Sequence, residues 1–185
     1  MRLLGLMFLA AAILATTASG STVDAQLLVL QTSDVPGFSV DRHGSRYWPN
    51  AAVVRSAPRS RKLLASSGRI SGYTATYDNG APAIVSAAHL FRKSGGAHVF
   101  YSAEEGEQRA LNAERIKRGG RAYRHEPVVL GGEALLYRST QTPKVVLVLW
   151  RSGRVVGVVT TWGLGRDRTI ALAQVQQRRI AKTLG

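Results

Sequence analysis

The sequence predicts an α+β domain: an antiparallel sheet of about five to six strands packed by two main helices, after an N-terminal signal peptide. Three observations carry this expectation. Short strand-like runs follow one another through turn signals, Asn79-Gly80 foremost, a pair suited to the positive φ angles of a two-residue hairpin. The runs 145–150 and 155–159 are apolar at almost every position instead of alternating, as strands covered on both faces are. Only two long stretches, 95–116 and 168–184, carry helical spacing, and hairpins with few helices favour α+β over a parallel βαβ sheet.

Composition sets the outer limits. A chain of 185 residues has room for one compact domain. With 45% hydrophobic and 19% charged residues it is neither a disordered tail nor a multi-span membrane protein. Cysteine is absent, which excludes a disulfide framework, Cys-ligated zinc or iron–sulfur sites, a thiol nucleophile and a Cys-linked lipid anchor.

Arg2 precedes an unbroken apolar run over 3–15, and small and hydroxylated residues follow over 16–22. This is the basic, apolar, small-residue order of a secretory signal. The 13-residue run is short for a bilayer-spanning helix. The signal peptide is assigned to 1–25, with cleavage after Ala25 or near Ala18 to Gly20, and the expected location is secreted or in the cell envelope. About 160 residues then remain, enough to be held by packing alone, since a domain of that size buries about two-thirds of its unfolded surface.

Residues 26–185 read as one domain, in which 26–68 form a short helix and a basic loop ahead of an α+β core at 69–185. Residues 27–30 are apolar, and Pro36 forces Val35 out of helical dihedrals. The segment 41–67 is polar, broken by Gly44, Pro49 and Pro58, and carries six basic residues; its lack of periodicity reads as a mobile loop. Strands are expected at 70–77 and 83–91. A helix over 95–116 follows, with Ser94 as its cap and Ala97, Phe100, Tyr101 and Leu111 near one face. Short strands at 127–130 and 134–138 flank Gly131-Gly132, and a central pair at 145–151 and 154–162 turns at Ser152-Gly153. Asp167 is expected to cap the last helix, with Ala173, Ile180 and Leu184 on one face.

Lys and Arg number 25 against 11 acids, a net charge of +14. A field of that sign attracts polyanions. For an exported protein these are anionic envelope polymers or lipid headgroups rather than nucleic acid, and the aromatic interleaving that single-strand stacking needs is thin. The candidate binding residues are Tyr47 and Trp48 beside the first basic cluster, Arg59, Arg61 and Lys62 within it, and Trp150 at the end of a central strand.

Catalytic motifs are missing. There is no G-x-S-x-G elbow, phosphate-binding loop or HExxH. Gly163-Leu164-Gly165 has Arg168 where a third glycine would stand, so it reads as a turn. Neither a cofactor nor a metal is expected, because His43 and His125 sit next to arginines that repel a divalent cation. His89 falls inside a strand and reads as a hydrogen-bonded or surface histidine, and Glu104, Glu105 and Glu107 read as a solvated helix face. Glu133 is a partner for Arg138 or Arg151. The expectation is a non-catalytic domain that binds an envelope component, a small ligand or a partner protein. The alternatives are a secreted hydrolase built on His43 or His125, or a surface polyanion-binding protein.

Three stretches carry a resemblance: 27–38 with Asp34-Val35-Pro36-Gly37-Phe38, 130–138 with Gly131-Gly132-Glu133-Ala134, and 148–159 with Trp150-Arg151-Ser152-Gly153-Arg154. The set resembles exported actinobacterial α+β proteins of unassigned activity, similar to the Mog1/PsbP-like sandwich of some mycobacterial lipoproteins and kinase sensor domains. The likeness implies fold and export, not an activity. Where such proteins often carry Gly-Asp-Glu this chain has Gly131-Gly132-Glu133, and the lipobox cysteine of many of them is missing.

Overall fold

The structure, a computed structural model, describes residues 23–80, 83–139, 141 and 144–185. Residues 1–22, most of the signal peptide expected at 1–25, and the turn expected at Pro143 lie outside the described residues. Two 3₁₀ turns, Ala25–Leu28 and Thr32–Asp34, open the domain. Then come β1 (Ser39–Tyr47), α1 (Asn50–Ser56), a 3₁₀ turn (Pro58–Ser60) and α2 (Arg61–Ser67). The hairpin of β2 (Arg69–Asp78) and β3 (Ala83–Phe91) leads into the long helix α3 (Ser94–Lys117). Last come β4 (Arg124–Pro127), β5 (Glu133–Arg138), β6 (Val145–Ser152), β7 (Val155–Trp162) and α4 (Arg166–Leu184).

All pairings are antiparallel, in the order β1-β2-β3-β7-β6-β5-β4. The sheet therefore has seven strands where the sequence predicts five to six. The extra one is β1, and the mobile loop expected at 41–67 is instead β1, α1 and α2. The signal was hidden for physical reasons. β1 is an edge strand with polar side chains on both faces, and its register slips between Asp41 and Arg46, so no alternation survives. Each of the two helices has only seven residues, too few to show a period. Pro49 and Pro58, which look like loop punctuation, stand at helix starts where a missing N–H costs nothing.

The apolar runs 145–150 and 155–159 occupy the middle of the sheet because helices cover both of its faces. Val146, Val148 and Trp150 of β6 point toward α4 and the N-terminal turn, while Leu147 and Leu149 point toward α3. Trp150 is fully buried and donates its indole N–H to Gln177 Oε1 at 2.8 Å. Its ring lies across Gly157, its partner on β7, where no Cβ would fit. Burying such a side chain contributes about 1.5–3 kcal/mol.

A polar relay ties the N-terminus to α4. Leu30 N donates to Ser86 Oγ (3.0 Å), Ser86 Oγ to Gln176 Oε1 (2.8 Å), and Gln176 Nε2 to the carbonyl of Ala87 (2.9 Å). Arg179 of α4 bonds Asp34 Oδ2 at 2.6 Å. Helix starts also shift from expectation: α3 begins after Lys93 and α4 after Gly165, and Asp167 pairs with Arg166 within the first turn instead of capping. Leu111 is exposed, because the C-terminal half of α3 has run past the sheet's apolar cover.

Candidate functional site

Two glycines set how the helices meet near the β1 edge. Gly68 ends α2 at φ +62°, and Gly96 in the first turn of α3 passes so close to the carbonyl of Ser67 that a Cβ would overlap it. The α1–α2 segment thus stands against α3 and roofs the β1–β3 end of the sheet. Beneath it lies a cleft of about 520 Å³. Its walls are apolar: Val53, Ala57, Leu63, Leu64 and Phe100. Its polar groups are Arg69, His89, Thr74 and the edge of Trp48, with Glu104, Glu107 and Arg59 toward the rim.

Arg69, the first residue of β2, is 4% exposed yet well partnered. Its Nη1 donates to the carbonyl of Trp48 (2.9 Å) and to Asn50 Oδ1 (2.7 Å), and Asn50 Nδ2 donates back to the Arg69 carbonyl (2.8 Å). Its Nε and Nη2 both face Nδ1 of His89, at 3.2 and 3.1 Å. Burial lowers the Arg69 pKa to about 10, so it stays a cation at neutral pH. Burial, and then the Arg69 charge, push the pKa of His89 down to about 3. His89 is therefore neutral. With Nδ1 accepting from arginine, its proton sits on Nε2, and among the described residues Nε2 has no hydrogen-bond partner.

Glu104 lies one helical turn beyond Phe100, whose ring is 4.9 Å from that of His89. It is half-buried, and its carboxyl is raised by burial and by Glu107 against the pull of Arg69. Trp48 is held by an indole N–H bond to Thr74 Oγ1 (3.1 Å) and by the Arg46 guanidinium 4.1 Å from its ring centre. At the rim Arg59 pairs with Glu107 at 2.5 Å.

The residues singled out by sequence are dispersed. Trp48 and Arg59 line the cleft. Tyr47, one position from Trp48, points to the opposite face, packs edge-on against Tyr73 and donates to Asp24. Arg61 lines a neighbouring hollow with Arg55 and Pro58, and Lys62 stands exposed on α2. Trp150 lies on the far side of the sheet, in the core. His43 on β1 and His125 on β4 stand at opposite edges and do not converge. Glu133 bonds Arg151 and also His98. Arg69, Asn50 and Glu104 are the site residues that sequence reasoning missed. The Phe100/Glu104 spacing of four was the one available signal, and it places Glu104 beside the apolar face instead of on a solvated one.

The fold defines the class: an antiparallel sheet covered by helices on both faces. No family model matches the chain, and no curated protein matches it in sequence. A solved structure does share its architecture, the extracellular domain of PknH from Mycobacterium tuberculosis, with a TM-score of 0.51 and 12% identity over 86% of this chain and 94% of that one. The likeness is one of fold. Among the described residues no helix is long and apolar enough to cross a membrane, and no group of three or more His, Asp or Glu is placed to hold a metal ion.

Proposed function

We propose that this is an exported, non-catalytic domain that holds a small, largely apolar ligand bearing a hydroxyl group in the cleft under α1 and α2. One observation carries the reading. Five apolar side chains line a hollow into which His89 Nε2–H presents a lone donor and, toward the rim, the carboxyl of Glu104 an acceptor. A hydroxyl accepts from the first and donates to the second, whereas a purely apolar ligand would leave both dry and unpaired. Such sites, apolar with a few convergent polar groups, are the usual form of small-molecule pockets. Export is supported by the order of Arg2, the apolar run and the small residues after it, and by a fold neighbour that is an extracellular domain. The likeness to Mog1/PsbP-like sandwiches belongs to the same reading.

A neutral histidine with a pKa of about 3 is a poor general base, and the hydroxyls of the cleft are engaged structurally, Ser60 donating to the Ala57 carbonyl and Thr74 accepting from Trp48. This favours binding over hydrolysis. The test is mass spectrometry of solvent extracts of protein purified from its producing cells. The expected result is a stoichiometric hydroxylated amphiphile that Ala57→Trp, which fills the hollow, abolishes, and that Glu104→Gln weakens by about tenfold, one charge-assisted hydrogen bond's worth. An empty protein that also fails to take up fluorescent long-chain alcohols would overturn the reading.

A further inference from the structure

A second surface lies at the other end of the sheet. The β2–β3, β4–β5 and β6–β7 registers place Asp78, Arg124, Arg138, Val145 and Trp162 at one common end. Helix α3 also finishes there, with Lys117, and runs through Arg118 and Arg121 to β4. Helix α4 starts there, with Arg166 and Arg168.

Hydrogen bonds and ion pairs knit these pieces into one surface. Arg115 Nη2 donates to Gln141 Oε1 (2.6 Å), Gly163 N donates to the Lys144 carbonyl (2.9 Å), and Glu126 lies between Arg138 (3.4 Å) and Arg166 (3.2 Å). The acids Glu114, Glu126 and Asp167 are each already paired with an arginine. Asp78, two strands from Trp162, and Asp41 on the adjoining β1 are the other acids near this end among the described residues. Lys117, Arg121, Arg124, Lys144 and Arg168 are exposed and make no ion pair among the described residues. Beside them Trp162, closing β7, is 37% exposed.

We infer that this end of the molecule docks on an anionic phospholipid bilayer. The cations supply the attraction, on the order of 1 kcal/mol for each near the surface. The exposed indole favours a bilayer over a soluble polyanion: an amphipathic ring settles at headgroup level, whereas a wall polymer offers it no apolar layer and a single ring lacks the interleaved aromatics that nucleic-acid stacking uses. Docked in this way, the molecule holds Arg69 and the cleft floor at the far end of β2, about 30 Å along the strand from the lipid.

The experiment is co-sedimentation of protein recovered from producing cells, its N-terminus fixed by mass spectrometry, with phosphatidylglycerol-containing and with pure phosphatidylcholine vesicles. Preferential binding to the anionic vesicles is expected, falling steeply with salt. Arg121→Ala/Arg124→Ala/Lys144→Ala should lower it at least tenfold, and Trp162→Ala severalfold, while Arg61→Ala/Lys62→Ala on α2 leaves it unchanged. Circular dichroism confirms that each variant is folded. Equal binding to both vesicle types, retention by the folded triple variant, or equal loss in the α2 variant would overturn the inference. So would an affinity for soluble polyphosphate or DNA that matches the affinity for vesicles and ignores Trp162. None of these outcomes depends on whether the cleft holds a ligand.

Discussion

The guanidinium of Arg69 lies over the bare backbone of Gly72, so close that a methyl group on residue 72 would overlap Nη2 and crowd Nδ1 of His89. Gly72 and His89 face each other across β2 and β3. The arginine can fold back over its own strand and reach the histidine only because nothing projects from the residue between them.

Gly72→Ala should therefore cost more than a strand alanine normally does. Displacing the guanidinium breaks its bonds to Trp48, Asn50 and His89, and a loss of about 1–3 kcal/mol is expected. Urea unfolding measures it. In an Arg69→Met background the penalty should shrink to what the crowding of His89 Nδ1 and the Ala88 carbonyl leaves, and a full additive penalty there would refute the overlap with the guanidinium.

Acid should loosen the fold through His89. Its pKa is about 3 in the fold and 6.5 when unfolded, so between those values the unfolded chain binds a proton that the native state refuses. Stability from this group is complete above about pH 6.5 and is lost as pH falls toward 3, by at most about 1.4 kcal/mol per pH unit. Thermal unfolding from pH 7 to pH 4 should show a shallower fall in His89→Gln than in the parent. Parallel curves would dismiss the buried neutral imidazole.

The β6–β7 hairpin holds two glycines for different reasons, and substitution separates them. Gly153, at φ +54° in the turn, has open space where a Cβ would stand, with nothing within 4 Å, so Gly153→Val should cost roughly 1 kcal/mol or more from backbone strain alone. Gly157 has an extended backbone but lies under the Trp150 ring, so Gly157→Ala should cost about 1–3 kcal/mol by overpacking. In a Trp150→Leu background the Gly157 penalty should shrink and the Gly153 penalty should not. Calorimetric melting of the two series checks both.

The proposed export carries a further prediction, the position at which a signal peptide is cut. Asp24 accepts from Gln26 N (2.9 Å) and from the Tyr47 hydroxyl (2.9 Å), and Ala25 is 1% exposed in the first turn. Cleavage near Ala18 to Gly20 keeps these contacts, whereas cleavage after Ala25 removes them. N-terminal sequencing of secreted protein should find a start at or before Val23. A start at Gln26 would show that the domain closes without its capping aspartate.

The central strands, the long helix and the C-terminal helix were legible because their side chains repeat at the periods of sheet and helix. Val145 to Leu149, and Ala97, Phe100 and Tyr101, announce themselves. The cleft was not legible. It is made of β1, whose bulge erases its alternation, and of two helices too short to show a face. Its polar groups, Arg69 with its partner Asn50, His89 and Glu104, come from four separate elements, and only the folded chain brings them together. Tyr47 and Trp48 look like a unit in sequence and part company because successive strand residues point to opposite faces.

The bond between Asp34 and Arg179 spans 145 positions, and the Ser86–Gln176 link spans 90. The opening turn of the domain thus waits for a helix made 145 positions later. Until then the nascent polypeptide lacks the latch that would lock it shut.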